Sequence, residues 1–158
     1  MSPIQNPNVS ATEHITPGKV AAAGAAALVL GSFLSWVSVT TVFGSVSIKG
    51  MDGDGKLTAL LGVISGLVMF QGITKAARSA YLAASIFAAL AGFVVMYDFA
   101  NISSEVAGAS NEYAVAQVGT GLYLCGAGAL AATVGGLIAR SKVSEVPAPT
   151  PLVPPTPE

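Results

Sequence analysis

The feature that most constrains this chain is a set of apolar stretches, each about 20 residues long, with no charged side chain near its middle. They run at about 20–37, 57–73, 80–97 and 115–139. At about 1.5 Å of rise per helical residue, such a stretch crosses the roughly 30 Å hydrocarbon core of a bilayer. Composition points the same way. Of 158 residues, 53% are hydrophobic and 9% charged, whereas soluble domains carry about 25% charge. In lipid the backbone must satisfy its own hydrogen bonds, which helices do within one segment. The expected fold class is therefore an all-α membrane protein, a four-transmembrane-helix bundle.

The segments between the spans have their own character. After Trp36, expected at the interfacial end of the first span, comes "VSVTTVFGSVSIKG", β-branched and alternating, with Phe43-Gly44 at its turn. It reads as a short extracytoplasmic β-hairpin over 38–49. "DFANISSEVAGASNEY" reads as a second surface loop. Residues 1–17 are expected to be a mobile polar tail in which Thr16 caps the first helix and Pro17 sits in its first turn. A cleaved signal peptide is the rival reading of the first span, opposed by the long polar lead and the lack of a convincing small-x-small site. Residues 141–158 include "VPAPTPLVPPTPE", expected to be extended and solvated. All 9 prolines fall in the two tails, so the helices are expected to be largely continuous.

With four spans the tails share one side. That side holds Lys19, Lys75, Arg78, Arg140 and Lys142, and the other holds Lys49 and Lys56 beside Asp52, Asp54, Asp98, Glu105 and Glu112. The excess of basic residues places both termini in the cytoplasm of a multi-pass cell-membrane protein. A net charge of −1 leaves no footprint for nucleic acid.

Lipid supplies no hydrophobic drive between helices, so association depends on close packing at small residues. Gly62 and Gly66, then Ala88 and Gly92, then Gly128 and Gly136, with Ala84 and Ala132, carry that spacing in spans two to four. Packing within one chain is the favoured use; a homo-oligomer face is the alternative. Tyr123 needs a hydroxyl partner, and Cys125, the single cysteine, reads as a packing residue. The spans lack the central ionisable groups of proton-coupled pumps. No nucleophile with a base, no phosphate loop and no His/Cys cluster appears, so neither enzyme chemistry nor a cofactor is expected.

"KGMDGDGKLT", residues 49–58, mimics the start of a calcium loop. An EF-hand beginning at Asp52 would need an oxygen ligand at Lys56, glycine at Leu57 and an acid at Val63. The match fails. The preferred reading is that the glycines make a turn and Asp54 caps the second span. A divalent-cation site at Asp52 and Asp54, joined by Asp98, Glu105 or Glu112, is the alternative.

"PGKVAAAGAAALVLGSFLSWVSV", followed by a hairpin and "KGMDGDGKLTALLG", resembles small four-helix membrane proteins of actinobacteria and their phages. In these a first helix ending near Ser-Phe-Leu-x-Trp precedes a Gly-Asp-Gly helix start. The resemblance covers residues 17–78, with Ser35 where many relatives carry proline. It implies a non-enzymatic protein, in some cases prophage-encoded and acting in phage exclusion with a cytoplasmic partner.

The residues themselves leave several functions open. One is a membrane anchor, scaffold or sensor whose tail docks a cytoplasmic effector through "PLVP", with Pro151 and Pro154 at the contact. Others are a holin-like permeabilising oligomer and a small transporter or channel subunit. Besides lipid, an effector and a second copy are the partners considered.

Overall fold

The computed structural model describes residues 13–109 and 113–143. Four helices form a ring: α1 (Ile15–Phe33), α2 (Gly55–Lys75), α3 (Arg78–Ala109) and α4 (Thr120–Lys142). α1 packs between α2 and α4, and α3 closes the circle on the far side. All four are long and apolar enough to cross a membrane.

The packing is inverted relative to a water-soluble core. The interior is built from Ala21, Ala25, Ala84, Ala88, Ala132 and Ala139, while Leu30, Phe33, Leu67, Phe70, Phe93 and Leu130 point outward. In water that exterior would be a continuous apolar liability. In lipid it is the expected solution, because small residues let backbones approach while large ones meet acyl chains.

Closest approach is between α1 and α4. A Cβ on Gly24 would stand 2.6 Å from the Gly128 carbonyl oxygen, and one on Gly128 would stand 2.7 Å from that of Gly24. Gly62 faces Leu28 and Val29, Gly92 faces Ala129, and Gly136 faces Ser85 and Met69. Gly66 is looser, its nearest neighbour being the Ala25 methyl at 3.6 Å. Ala88 lies with Ala25 and Ala132 at the centre. Each expected packing position therefore faces another helix of the same chain. Buried serine hydroxyls are satisfied locally or across an interface: Ser32 donates to the Leu28 carbonyl at 2.8 Å and Ser65 to that of Ala84 at 2.9 Å. Cys125 donates to the Leu28 carbonyl at 3.4 Å, in keeping with a packing role.

Several expected boundaries move. α1 stops at Phe33, where Leu34 turns extended and returns its N–H to the Gly31 carbonyl. Trp36 therefore leaves the membrane helix and enters β1 (Ser35–Thr41), which pairs with β2 (Gly44–Lys49) across the turn at Val42-Phe43. The hairpin gains a third strand. β3 (Ala114–Val118) pairs antiparallel with β1, Val37 opposite Val118 and Thr41 opposite Ala114, in the order β2-β1-β3. The fourth span accordingly begins at Thr120, not at 115. β3 is short and alternates Ala, Val and Gln, so in sequence it runs into the apolar helix behind it without a break in hydropathy.

α3 is the other surprise. Its 32 residues extend about 48 Å at 1.5 Å per residue, well beyond a 30 Å core of roughly 20 residues. The span expected from sequence covers 80–97; the helix continues from Asp98 to Ala109 beside the sheet. Most of the expected surface loop is thus helix. Burial explains it: Ile102 of these turns and Val118 of β3 both pack against the buried cluster that contains Trp36. At the opposite end, α2 and α3 are joined through Ala76 in the left-handed conformation, φ 48°. α1 begins at Ile15, with His14 at its N-cap position, so Thr16 lies inside the first turn and does not cap it. Glu13 and Lys142 meet there at 3.3 Å, bringing the two ends of the described chain together. The rest of both tails, including Pro151 and Pro154, lies outside the described residues.

Candidate functional site

The sheet end of the bundle holds the chemistry. β2 ends at Lys49, a 3-10 turn follows over Gly50–Asp52, and α2 starts at Gly55. The turn is folded tightly because it must lie against an indole. A Cβ on Gly50 would collide with the Trp36 ring, and one on Gly55 would collide with the backbone of Gly50. Trp36 is 4% exposed, and its Nε1–H donates to the Gly31 carbonyl at 3.1 Å, one of the end carbonyls of α1. The β1–β2 register shifts between Ser35 and Val37, a bulge that leaves Trp36 free to aim inward. Gly50 thus serves close approach to the tryptophan and Gly55 close approach to Gly50, whereas a Cβ on Gly53 would meet nothing within 4 Å.

The acids divide into distinct roles. Asp52 accepts the Lys49 backbone N–H at 3.1 Å and closes the turn. Asp54 stands at the N-cap position of α2, but its carboxylate makes no capping bond. The reason is conformational: its φ of −71° and ψ of −7° are helical, whereas a capping side chain reaches back from an extended residue. Its carbonyl instead accepts the N–H groups of Leu57 and Thr58. Its side chain lines the same cavity as that of Asp98 of α3.

Asp54 and Asp98 share a small cavity of about 260 Å³ with Trp36, Val37, Ile48, Lys49 and Ile102. Asp98 is 8% exposed, and its Oδ2 is buried with no hydrogen-bond partner. Burial raises its pKa to about 6, with repulsion from the neighbouring Asp54 and the carboxyl–carboxyl hydrogen bond adding to it. Asp98 therefore holds a proton in mildly acidic solution.

For the divalent-cation alternative, the structure joins Asp54 to Asp98 and turns Asp52 away to Lys49. Glu105 lines an adjoining cavity of about 210 Å³ with Val37, Val39, Ile48 and Ile102. Glu112 lies outside the described residues. Among the described residues no three His, Cys, Asp or Glu side chains gather as a metal group.

Two other places carry less chemistry. A groove of about 530 Å³ on the outer surface of α3 and α4 has Gly92 and Ala129 in its floor and Met96, Phe99 and Leu130 at its margins. Tyr123 borders it and is exposed on the outside of the bundle, its ring edge-on to Phe99 at 5.6 Å, rather than deep in the interior. At the tail end, Tyr81 is fully buried with an unpartnered hydroxyl and stands edge-on to His14 at 6.0 Å. In sequence Asp98 and Tyr81 are an ordinary loop acid and an ordinary span residue. Only the helix crossing distinguishes them.

Compared with known proteins, the chain matches no family model and no curated protein.

Proposed function

We propose that the chain is a non-enzymatic membrane anchor, scaffold or sensor, inserted in the cell membrane with both tails in the cytoplasm. The observation that carries this reading is the division of the molecule into two ends. Four apolar helices gather the start and finish of the described chain at one end, where Glu13 meets Lys142, and support a three-stranded sheet at the other. Such a body holds an external surface and two internal tails in fixed relation across a bilayer. The basic residues at the tail end, Lys19, Lys75, Arg78, Arg140 and Lys142, support that orientation.

The proline-rich segment after Val146 supplies a PxxP element, Pro151 to Pro154, of the kind bound in aromatic grooves. Resemblance to actinobacterial and phage four-helix proteins suggests phage exclusion with a cytoplasmic effector as the setting. The test is co-purification in mild detergent of the intact protein against a chain ending at Lys142. An effector recovered with the intact protein alone supports the anchor. Equal recovery by both removes the tail as the docking element, and recovery by neither removes the effector.

A further inference from the structure

The cavity beneath the sheet contains a group that lacks its counterpart. Asp98 is nine-tenths buried and lines the cavity, and its Oδ2 has no partner. A buried acceptor left unpaired costs about 1–3 kcal/mol, more when charged, which is why such groups are rare in native proteins. Asp54 adds a second carboxyl to the same wall. What is missing is therefore a donor, and the sign of the wall favours a cation.

The shape of the site narrows the choice of cation. Its volume, about 260 Å³, equals that of several waters at about 30 Å³ each, far more than a bare metal ion fills. Its other walls are the apolar side chains of Trp36, Val37, Ile48 and Ile102 with the turn residues Gly50 and Gly53, and no third metal-ligating side chain joins the two acids among the described residues. A hydrophobic stem bearing three N–H donors fits these walls better than a hydrated ion does. The aromatic wall suits an ammonium further. Lys49 also lines the cavity, and its ammonium complements an anionic group attached to the other end of the same guest. The site stands where α3 leaves its crossing part, which is headgroup level in a bilayer.

We propose that this cavity binds a primary ammonium group, paired with Asp98 and Asp54 and carried either by an aminophospholipid headgroup or by a free amine. Binding requires Asp98 to be ionised, so proton and amine compete for it. The charged groups around Asp98 are Asp54 of α2 and Lys49 of β2; Asp52 of the turn is held by the Lys49 N–H, and Glu105 lies two turns further along α3.

Trp36 is the single tryptophan and forms part of the cavity wall, so its emission reports occupancy directly. The intact chain would be placed in nanodiscs of phosphatidylcholine with phosphatidylglycerol at pH 8 and titrated with ethylamine and with O-phosphoethanolamine. A parallel set of discs would contain phosphatidylethanolamine. The expected result is a saturable change in Trp36 emission with at least one amine source. Free amines acting alone identify a soluble guest; a change in the phosphatidylethanolamine discs that leaves no further response to free amine identifies the lipid. Affinity should fall about tenfold per pH unit below about 6. Asp98→Asn should weaken binding at least tenfold, with Glu105→Gln unchanged. The pH competition in the unmodified protein serves as the second measurement should Asp98→Asn not fold.

No response to any amine source at pH 8 would overturn the proposal. So would an equal response to tetramethylammonium, which has no N–H donor, or a response to calcium alone. If only Lys49→Met binds amine, the natural occupant is the chain's own lysine, and the proposal again fails.

Discussion

Gly66 and Gly128 read alike in sequence, each in a small-residue row on an apolar helix, but alanine should have opposite effects at the two. At Gly128 the added carbon would stand 2.7 Å from the Gly24 carbonyl oxygen, 2.9 Å from the Leu28 nitrogen and 3.0 Å from the Ala27 methyl. The closest of these falls about 0.8 Å short of the roughly 3.5 Å at which such atoms rest. Two of the three neighbours are backbone, so no rotamer change relieves the clash and α1 must move away from α4. A gap of about 0.5–1 Å forfeits a quarter to a half of the dispersion energy along that seam, and overpacking of this kind typically costs about 1–3 kcal/mol. Replacing a mid-helix glycine by alanine returns about 1 kcal/mol. Gly128→Ala should therefore be destabilising by up to about 2 kcal/mol. At Gly66 the new carbon meets only the Ala25 methyl, at 3.6 Å, an ordinary contact. Gly66→Ala should gain about 0.5–1 kcal/mol. The assay is reversible unfolding in mixed micelles with increasing sodium dodecyl sulfate, followed by circular dichroism at 222 nm (roughly the helix band). Equal destabilisation by both substitutions, or the reverse order, would refute the reasoning that helix approach decides each glycine's role.

The remaining expectations concern the sheet end and the termini. Asp98 has its pKa raised in the folded state to about 6 from 3.8, so its contribution is fully present below about pH 4 and is lost as pH rises toward 6. Stability measured across that range should decline in the parent more than in Asp98→Asn, and a parallel decline would count against the buried carboxyl pair. Trp36→Phe removes the donor to the Gly31 carbonyl and part of the packing on Gly50, and should cost about 1–2 kcal/mol in the same unfolding assay. Ala76→Gly relieves a left-handed alanine between α2 and α3 and should stabilise by up to about 1 kcal/mol, whereas a loss would contradict the observed φ of 48°. Glu13 and Lys142 are each about half exposed, so Lys142→Ala should change stability by less than about 1 kcal/mol.

The apolar stretches alone marked out four helices long and apolar enough to cross a membrane, because bilayer thickness sets a length that few other structures require. The hairpin was legible from its β-branched alternation, and the small-residue rows announced that backbones would approach one another. Which helix each row faced was not legible. Gly, Ala and Ser are alike in lipid, and their value depends on what stands opposite, as Gly66 and Gly128 show. The boundaries failed for a related reason. β3 and the outer turns of α3 are held by Val118 and Ile102 packing against the buried cluster that contains Trp36, residues far apart in sequence. Asp54 was legible as the residue before a helix but not as a partner of Asp98, 44 positions away. That pairing exists because α2 begins and α3 leaves its crossing part at the same end of the bundle. Sequence carries the length and polarity of each element; only tertiary structure decides which of them share one small, water-poor space.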